Sequence, residues 1–143
     1  MWYGEYQHTL DEKDRFILPA KFRGKIRSFK NKRFYITRGL DSCLFLVAED
    51  VWKSLEAKLE TLPFTKQQSR FFNRLFFSGA SEIDIDSHGR ITLPGYLKEF
   101  AKIKREIVII GVSERIEIWD KECWLKFYQE NEDRFEDMGE SLF

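Results

Sequence analysis

One phrase is written twice in this chain. Asp-Glu-Lys-Asp-Arg-Phe-Ile-Leu-Pro at residues 11–19 returns as Asp-Ser-His-Gly-Arg-Ile-Thr-Leu-Pro at 86–94, with Asp, Arg, Leu and Pro all displaced by 75 positions. A fixed offset held across several residue types marks an internal duplication, which limits the possible folds more than any local propensity does. The echo continues at an offset of 72, where Gly39 matches Gly111 and Trp52 matches Trp124. The second copy is therefore three residues shorter between Pro94 and Ile107.

In the first copy, Tyr6, His8 and Leu10 alternate with Glu5, Gln7 and Thr9, the period of two expected of a half-buried strand. Residues 11–14 break the alternation with aspartates that bond nearby amides, so 15–18 is read as the strand returning from a tight reversal. Pro19 suits the start of a short helix to about Ile26, with Lys21, Arg23 and Lys25 outward and Phe22 and Ile26 inward. Residues 27–33 form the most basic loop. A hairpin follows, 34–37 against 43–47, with Gly39 and Asp41 in its turn. Val51, Trp52, Leu55, Leu59 and Leu62 then make one helical stripe ending near Pro63. Thr65 and Gln68 match a capping box for a second helix bearing Phe71, Phe72, Leu75, Phe76 and Phe77 and stopping at Gly79. Four phenylalanines in seven residues exceed what one isolated helix buries, so part of that surface is expected to meet the other half or another subunit.

The second copy repeats this order. A strand at 81–85 places Ile83 and Ile85 inward; a turn at 86–89, a strand at 90–93 and a helix from Pro94 to about Ala101 follow. A hairpin pairs 107–110 with 115–119 around Gly111. Asp120 is placed to cap a final helix with Cys123, Trp124, Phe127 and Tyr128, before an acidic, loosely held tail from Asp133. The expected class is α+β: a duplicated small β-barrel, or pair of packed sheets, with pseudo-twofold symmetry and flanking helices.

At 143 residues and 43% apolar, the chain has the size and composition of one domain with a real core. Cys43 and Cys123 lack CxxC or Cys/His spacing and read as plain thiols of a reducing compartment. No apolar run approaches the roughly 20 residues that span a bilayer, and charges at 11–15 occupy the place of a signal core, so a cytoplasmic protein with no membrane partner is expected. The formal charge is zero but unevenly spread: residues 1–38 carry ten basic and four acidic residues, net +6, whereas 120–143 carry three and eight, net −5. Such asymmetry lets one face attract a polyanion while the molecule stays neutral.

Other classes find less support. His8 lies on an apolar strand face and His88 in a turn. Asp84 and Asp86 lack a third ligand at metal-binding spacing, and neither a phosphate loop nor a nucleophile elbow is present. No enzyme, cofactor, metal or small-molecule substrate is therefore expected. A protein-interaction module is the other rival, resting on the Phe-rich 71–77 stretch and the acidic terminus.

The repeated Asp-x-x-x-Arg has two compatible readings. Asp11 and Asp86 can cap turn amides and pair with Arg15 and Arg90; the same pairing would orient a planar guanidinium toward phosphate or a guanine edge. The Asp and Arg match between copies while all three intervening residues differ. Lys13 and the basic 21–33 cluster make the first copy the richer one, so it is expected to make the stronger anion contacts.

The paired motifs, each followed by a Leu-Pro opening a short helix, resemble the MraZ family of bacterial transcription regulators, whose halves belong to the AbrB/SpoVT swapped-hairpin class. The resemblance spans about residues 6–127. It implies two interleaved AbrB/SpoVT-like halves, at 5–52 and 81–124, joined by a helical connection at 53–80 and followed by a helix and tail at 125–143. It also implies a ring-shaped homo-oligomer that binds short direct repeats in double-stranded promoter DNA upstream of the division and cell-wall gene cluster, repressing its own gene at the nucleoid. By motif match the DNA-contacting role falls on Arg15 with Arg90 as counterpart, and Asp11 and Asp86 orient them. Lys13, Lys21 and Arg23 join as DNA-binding candidates on charge.

Overall fold

The computed structural model describes residues 1–28 and 33–143. The first copy comprises β1 (Glu5–Thr9), β2 (Arg15–Ile17), α1 (Ala20–Ser28), β3 (Phe34–Arg38), β4 (Leu44–Ala48), α2 (Glu49–Glu60) and α3 (Gln67–Gly79). The second comprises β5 (Ser81–Glu82), β6 (Arg90–Thr92), α4 (Gly95–Phe100), β7 (Glu106–Val112), β8 (Arg115–Asp120), α5 (Lys121–Asn131) and α6 (Phe135–Leu142).

The strands form a six-stranded antiparallel sheet of order β1-β7-β8-β4-β3-β5 and a two-stranded ribbon of β2 with β6. Exchanging β1–β4 with β5–β8 reads the same order backwards, which is the duplication expressed as topology. The first strand of each copy pairs with the hairpin of the other: β1 crosses to β7, while β5 crosses to β3. Both therefore join the opposite half, and the two copies cannot be separated without tearing the sheet. β1 and β5 are its edges, so the fold is α+β with an open sheet among the described residues.

Alternation along the strands divides the interior. Ile36, Leu44, Leu46, Ile107, Ile109, Ile116 and Ile118 face one core with Phe16 and Leu18 near β2, Ile91 and Leu93 near β6, Phe22 of α1 and Leu97 of α4. From the other sheet face, Val47 packs with Trp52 and Phe76, and Val108 and Ile110 pack with Trp119 and Cys43. The ribbon with α1 and α4 thus covers one face of the sheet, and α2, α3 and α5 cover the other.

Several expectations need correcting. Thr65 and Gln68 form no capping box: α3 begins at Gln67, its N-cap Lys66 makes no side-chain cap bond, and Arg70 instead donates to the Phe64 and Thr65 carbonyls. The second hairpin does not turn at Gly111. It turns at Ser113 (φ 61°) and Glu114, and Gly111 pairs with Ile116 inside β7. Glycine is required there because a Cβ would stand 2.3 Å from the Tyr3 nitrogen, where the N-terminal segment crosses the strand. β5 is only two residues long, although Ile83 and Ile85 still pack on the core. α2 ends at Glu60, short of Pro63, leaving Leu62 exposed. The tail is helical: a single 3-10 turn leads into α6, whose Glu136 and Asp137 suit a helix N-terminus. Asp120 does cap α5, accepting from the Cys123 amide at 3.2 Å. α1 runs to Ser28, past the expected end near Ile26, and residues 29–32 of the expected basic loop lie outside the described residues.

Candidate nucleic-acid interface

The two motif turns are built from the same set of bonds. Asp11 Oδ1 accepts the Lys13 and Arg15 amides at 2.9 Å each, and its Oδ2 accepts Arg15 Nε at 2.7 Å. Asp86 Oδ1 likewise accepts the His88 and Arg90 amides at 2.9 Å each, and its Oδ2 accepts Arg90 Nε at 2.7 Å. The fourth turn residue takes a left-handed backbone in both, Asp14 at φ 56° and Gly89 at φ 76°. Glycine adopts that conformation freely and aspartate is among the few others that visit it routinely. This is why Glu-Lys-Asp and Ser-His-Gly serve the same geometry.

Three donors on one carboxylate favour its ionised form. The Arg15 amide, foremost, holds Asp11 below the ordinary carboxylate value. The Arg90 amide does the same for Asp86 and brings it down to about 2. The aspartates are thus permanent anchors at neutral pH. Each engages only the Nε of its arginine. The terminal nitrogens of Arg15 and Arg90 have no hydrogen bond to protein among the described residues, and the side chains are 26% and 29% exposed. Two guanidinium groups are therefore fixed at the root and open at the tip.

The ribbon puts both on one surface. Arg15 lies opposite Thr92, Phe16 opposite Ile91 and Ile17 opposite Arg90. Phe16 and Ile91 are buried at 1% exposure, so the alternating residues Arg15, Ile17, Arg90 and Thr92 share the outer face. Diagonal neighbours in such a pair stand about 7–8 Å apart, which sets the spacing of the two arginine stems. Lys13 is exposed on the first turn, and His88 holds the matching place on the second.

Each turn is also braced by the opposite half. The Asp14 carbonyl accepts the Leu93 amide at 2.8 Å, and the Gly89 carbonyl accepts the Leu18 amide at 3.1 Å. Lys98 of α4 pairs with Asp14 at 3.0 Å. Its counterpart at the offset of 75, Arg23 of α1, lies over Gly89 and donates to the Leu18 carbonyl at 2.8 Å. Arg23 is accordingly half-buried against the second turn. Lys21 is exposed in a different place, lining a groove with Tyr3, Tyr6 and Lys25. The structure thus gathers Arg15 and Arg90 on the ribbon face, with Lys13 exposed on the adjoining first turn, Arg23 against the second turn and Lys21 away from it. Nothing local to residue 98 marks Lys98 as a brace; the signal in the sequence is the offset of 75 that pairs it with Arg23.

The remaining candidates fall elsewhere. His8 is half-buried, and desolvation, reinforced by Arg23, holds its pKa below the ordinary value. Cys43 is buried and its thiol is pushed up by desolvation, with Glu117 adding to the effect; Cys123 is also unpaired. Among the described residues no group of three His, Cys, Asp or Glu side chains is placed to hold a metal ion. Nor is any described helix long and apolar enough to cross a membrane.

The fold and site define a duplicated α+β protein with two aspartate-anchored arginines on a ribbon shared by its halves. The family model described as "MraZ protein, putative antitoxin-like" matches residues 1–75 and again 76–143. The chain belongs to the MraZ family, and its two matches adjoin within α3.

Proposed function

We propose that this protein is a sequence-specific, double-stranded-DNA-binding transcriptional regulator that represses its own promoter and the division and cell-wall gene cluster by binding short direct repeats. The observation that carries this reading is the pair of arginines, on one face of the ribbon, whose Nε is tied to aspartate and whose terminal nitrogens make no hydrogen bond to protein among the described residues. A guanidinium held this way is pre-organised for bidentate bonding to phosphate or to guanine O6 and N7. A two-stranded ribbon also fits the major groove, which is about 12 Å wide. Family membership supports the same reading.

The halves are read as AbrB/SpoVT-like units with swapped hairpins, supported by the crossing of β1 to β7 and of β5 to β3. The protein is further read as a ring-shaped homo-oligomer of the nucleoid and not as an enzyme. Exposed Phe71, Phe72 and Leu75 on α3, and Tyr128, Phe135 and Leu142 on α5 and α6, supply apolar surface for self-association. Repeating the ribbon around an assembly would let weak sites act together through effective concentration, which suits a chain of zero formal charge.

The test is an electrophoretic shift with the DNA upstream of the protein's own gene, with size-exclusion chromatography run in parallel. Arg15→Ala is expected to abolish the shift and leave the assembly intact. An unaltered shift would refute the assignment.

A further inference from the structure

The outer face of the ribbon holds two more side chains between the arginines. Ile17 is 42% exposed and Thr92 is exposed, although their strand neighbours Phe16 and Ile91 are buried at 1%. A lone exposed isoleucine would say nothing by itself. This one lies directly opposite Arg90 and on the same face as Arg15, and Thr92 lies directly opposite Arg15. Ile17 and Thr92 are also equivalent under the offset of 75. Each open guanidinium therefore has a methyl-bearing partner at the same place in each copy, on a surface whose charged members are held by the turns.

We infer that Ile17 and Thr92 are base-reading residues whose methyl groups pack on thymine C5-methyl groups in the major groove beside the arginines. The inference rests on the DNA-binding reading and deepens it. Arginine supplies strength and guanine or phosphate contact, while an apolar contact with the thymine methyl adds discrimination that a guanidinium lacks. No other base offers that group in the major groove. The pairing across the ribbon makes the two contacts adjacent: Ile17 beside Arg90 would read one step, Thr92 beside Arg15 another. The neighbouring Lys13 contacts phosphate and carries no sequence information.

The experiment uses duplexes that the wild-type chain enriches from a randomised pool, remade with deoxyuridine replacing thymine one position at a time. That exchange removes only the methyl group. Wild-type protein is expected to lose about fourfold in affinity at the contacted positions, the worth of roughly one buried methyl. Ile17→Ala is expected to bind the thymine duplex about fourfold more weakly and to show no uracil penalty at its own position. Thr92→Ser, which keeps the hydroxyl, should erase the penalty at a different position. Neither change should alter the salt slope, since no phosphate contact is lost. Circular dichroism controls for folding. A wild-type chain indifferent to uracil, or variants that keep the full penalty, would overturn the inference while leaving DNA binding in place. Enrichment of no duplex would instead overturn the DNA-binding reading itself, and this inference with it.

Discussion

The two motif turns match bond for bond around their aspartates, yet are braced by different means. In the first, Asp14 is exposed enough to form an ion pair with Lys98; in the second, Gly89 leaves room for Arg23 to lie against the backbone and reach the Leu18 carbonyl. The atoms that place the arginine, and the backbone bond from each turn to the opposite half, have been kept, whereas the side chains that brace the turn have diverged. Holding the guanidinium has one good solution in this fold. Bracing the loop has at least two.

Removing each arginine in turn gives the largest contrast. Arg15→Ala is expected to abolish binding to the upstream duplex, and Arg90→Ala to weaken it by about tenfold, within the range of one lost bidentate contact. Equal losses in a titration would show that the richer charge around the first turn adds nothing.

Exchanging the brace residues should cost stability unequally. Gly89→Asp puts a side chain on a backbone at φ 76° that glycine holds more freely, and its Cβ would stand 2.4 Å from Arg23 Cδ, so the arginine must swing away from Leu18. The lost hydrogen bond is expected to cost about 1 kcal/mol in denaturant unfolding. Asp14→Gly removes only a part-exposed ion pair, for which about 0–1 kcal/mol is expected. The reverse order would mean that the Lys98 pair is the stronger fastening.

Salt dependence sharpens the comparison at the turn tips. Lys13→Ala should reduce the slope of log affinity against log salt by about 0.9, the share of one phosphate contact. His88→Ala, made in the second turn and measured where histidine is neutral, should leave the slope unchanged.

The smallest effect concerns acid. Because Asp86 is held at about 2 in the folded chain, below its ordinary 3.8, its contribution to stability is present above the ordinary value and is lost as pH falls toward 2. Asp11 follows the same direction. Carboxyl titration by NMR should place the Asp86 midpoint near 2. Neither turn should then loosen between about pH 5 and 8.

Much of this was legible in the residues, because the duplication lets each copy check the other. Asp-x-x-x-Arg, the hairpins, the aromatic helix and the Asp120 cap all correspond to local chemistry. What escaped depended on distant chain. Gly111 looks like a turn glycine until Trp2 and Tyr3 are seen to cross it. Arg23 looks like a free cation on a helix surface until Gly89 of the other copy is found beneath it. The capping box at Thr65 failed because the helix takes Lys66 as its N-cap, one residue later, which moves Gln68 out of the position that would reach back to Thr65. The outward face of the ribbon follows from alternation alone, but the pairing of β2 with β6 that joins both arginines does not.

Amide hydrogen exchange of the intact chain, with and without the upstream duplex, addresses the shared ribbon directly. Slowed exchange confined to residues 11–17 and 86–92 is the predicted result. Protection over α3 or α5 and α6, with both turns unchanged, would contradict it.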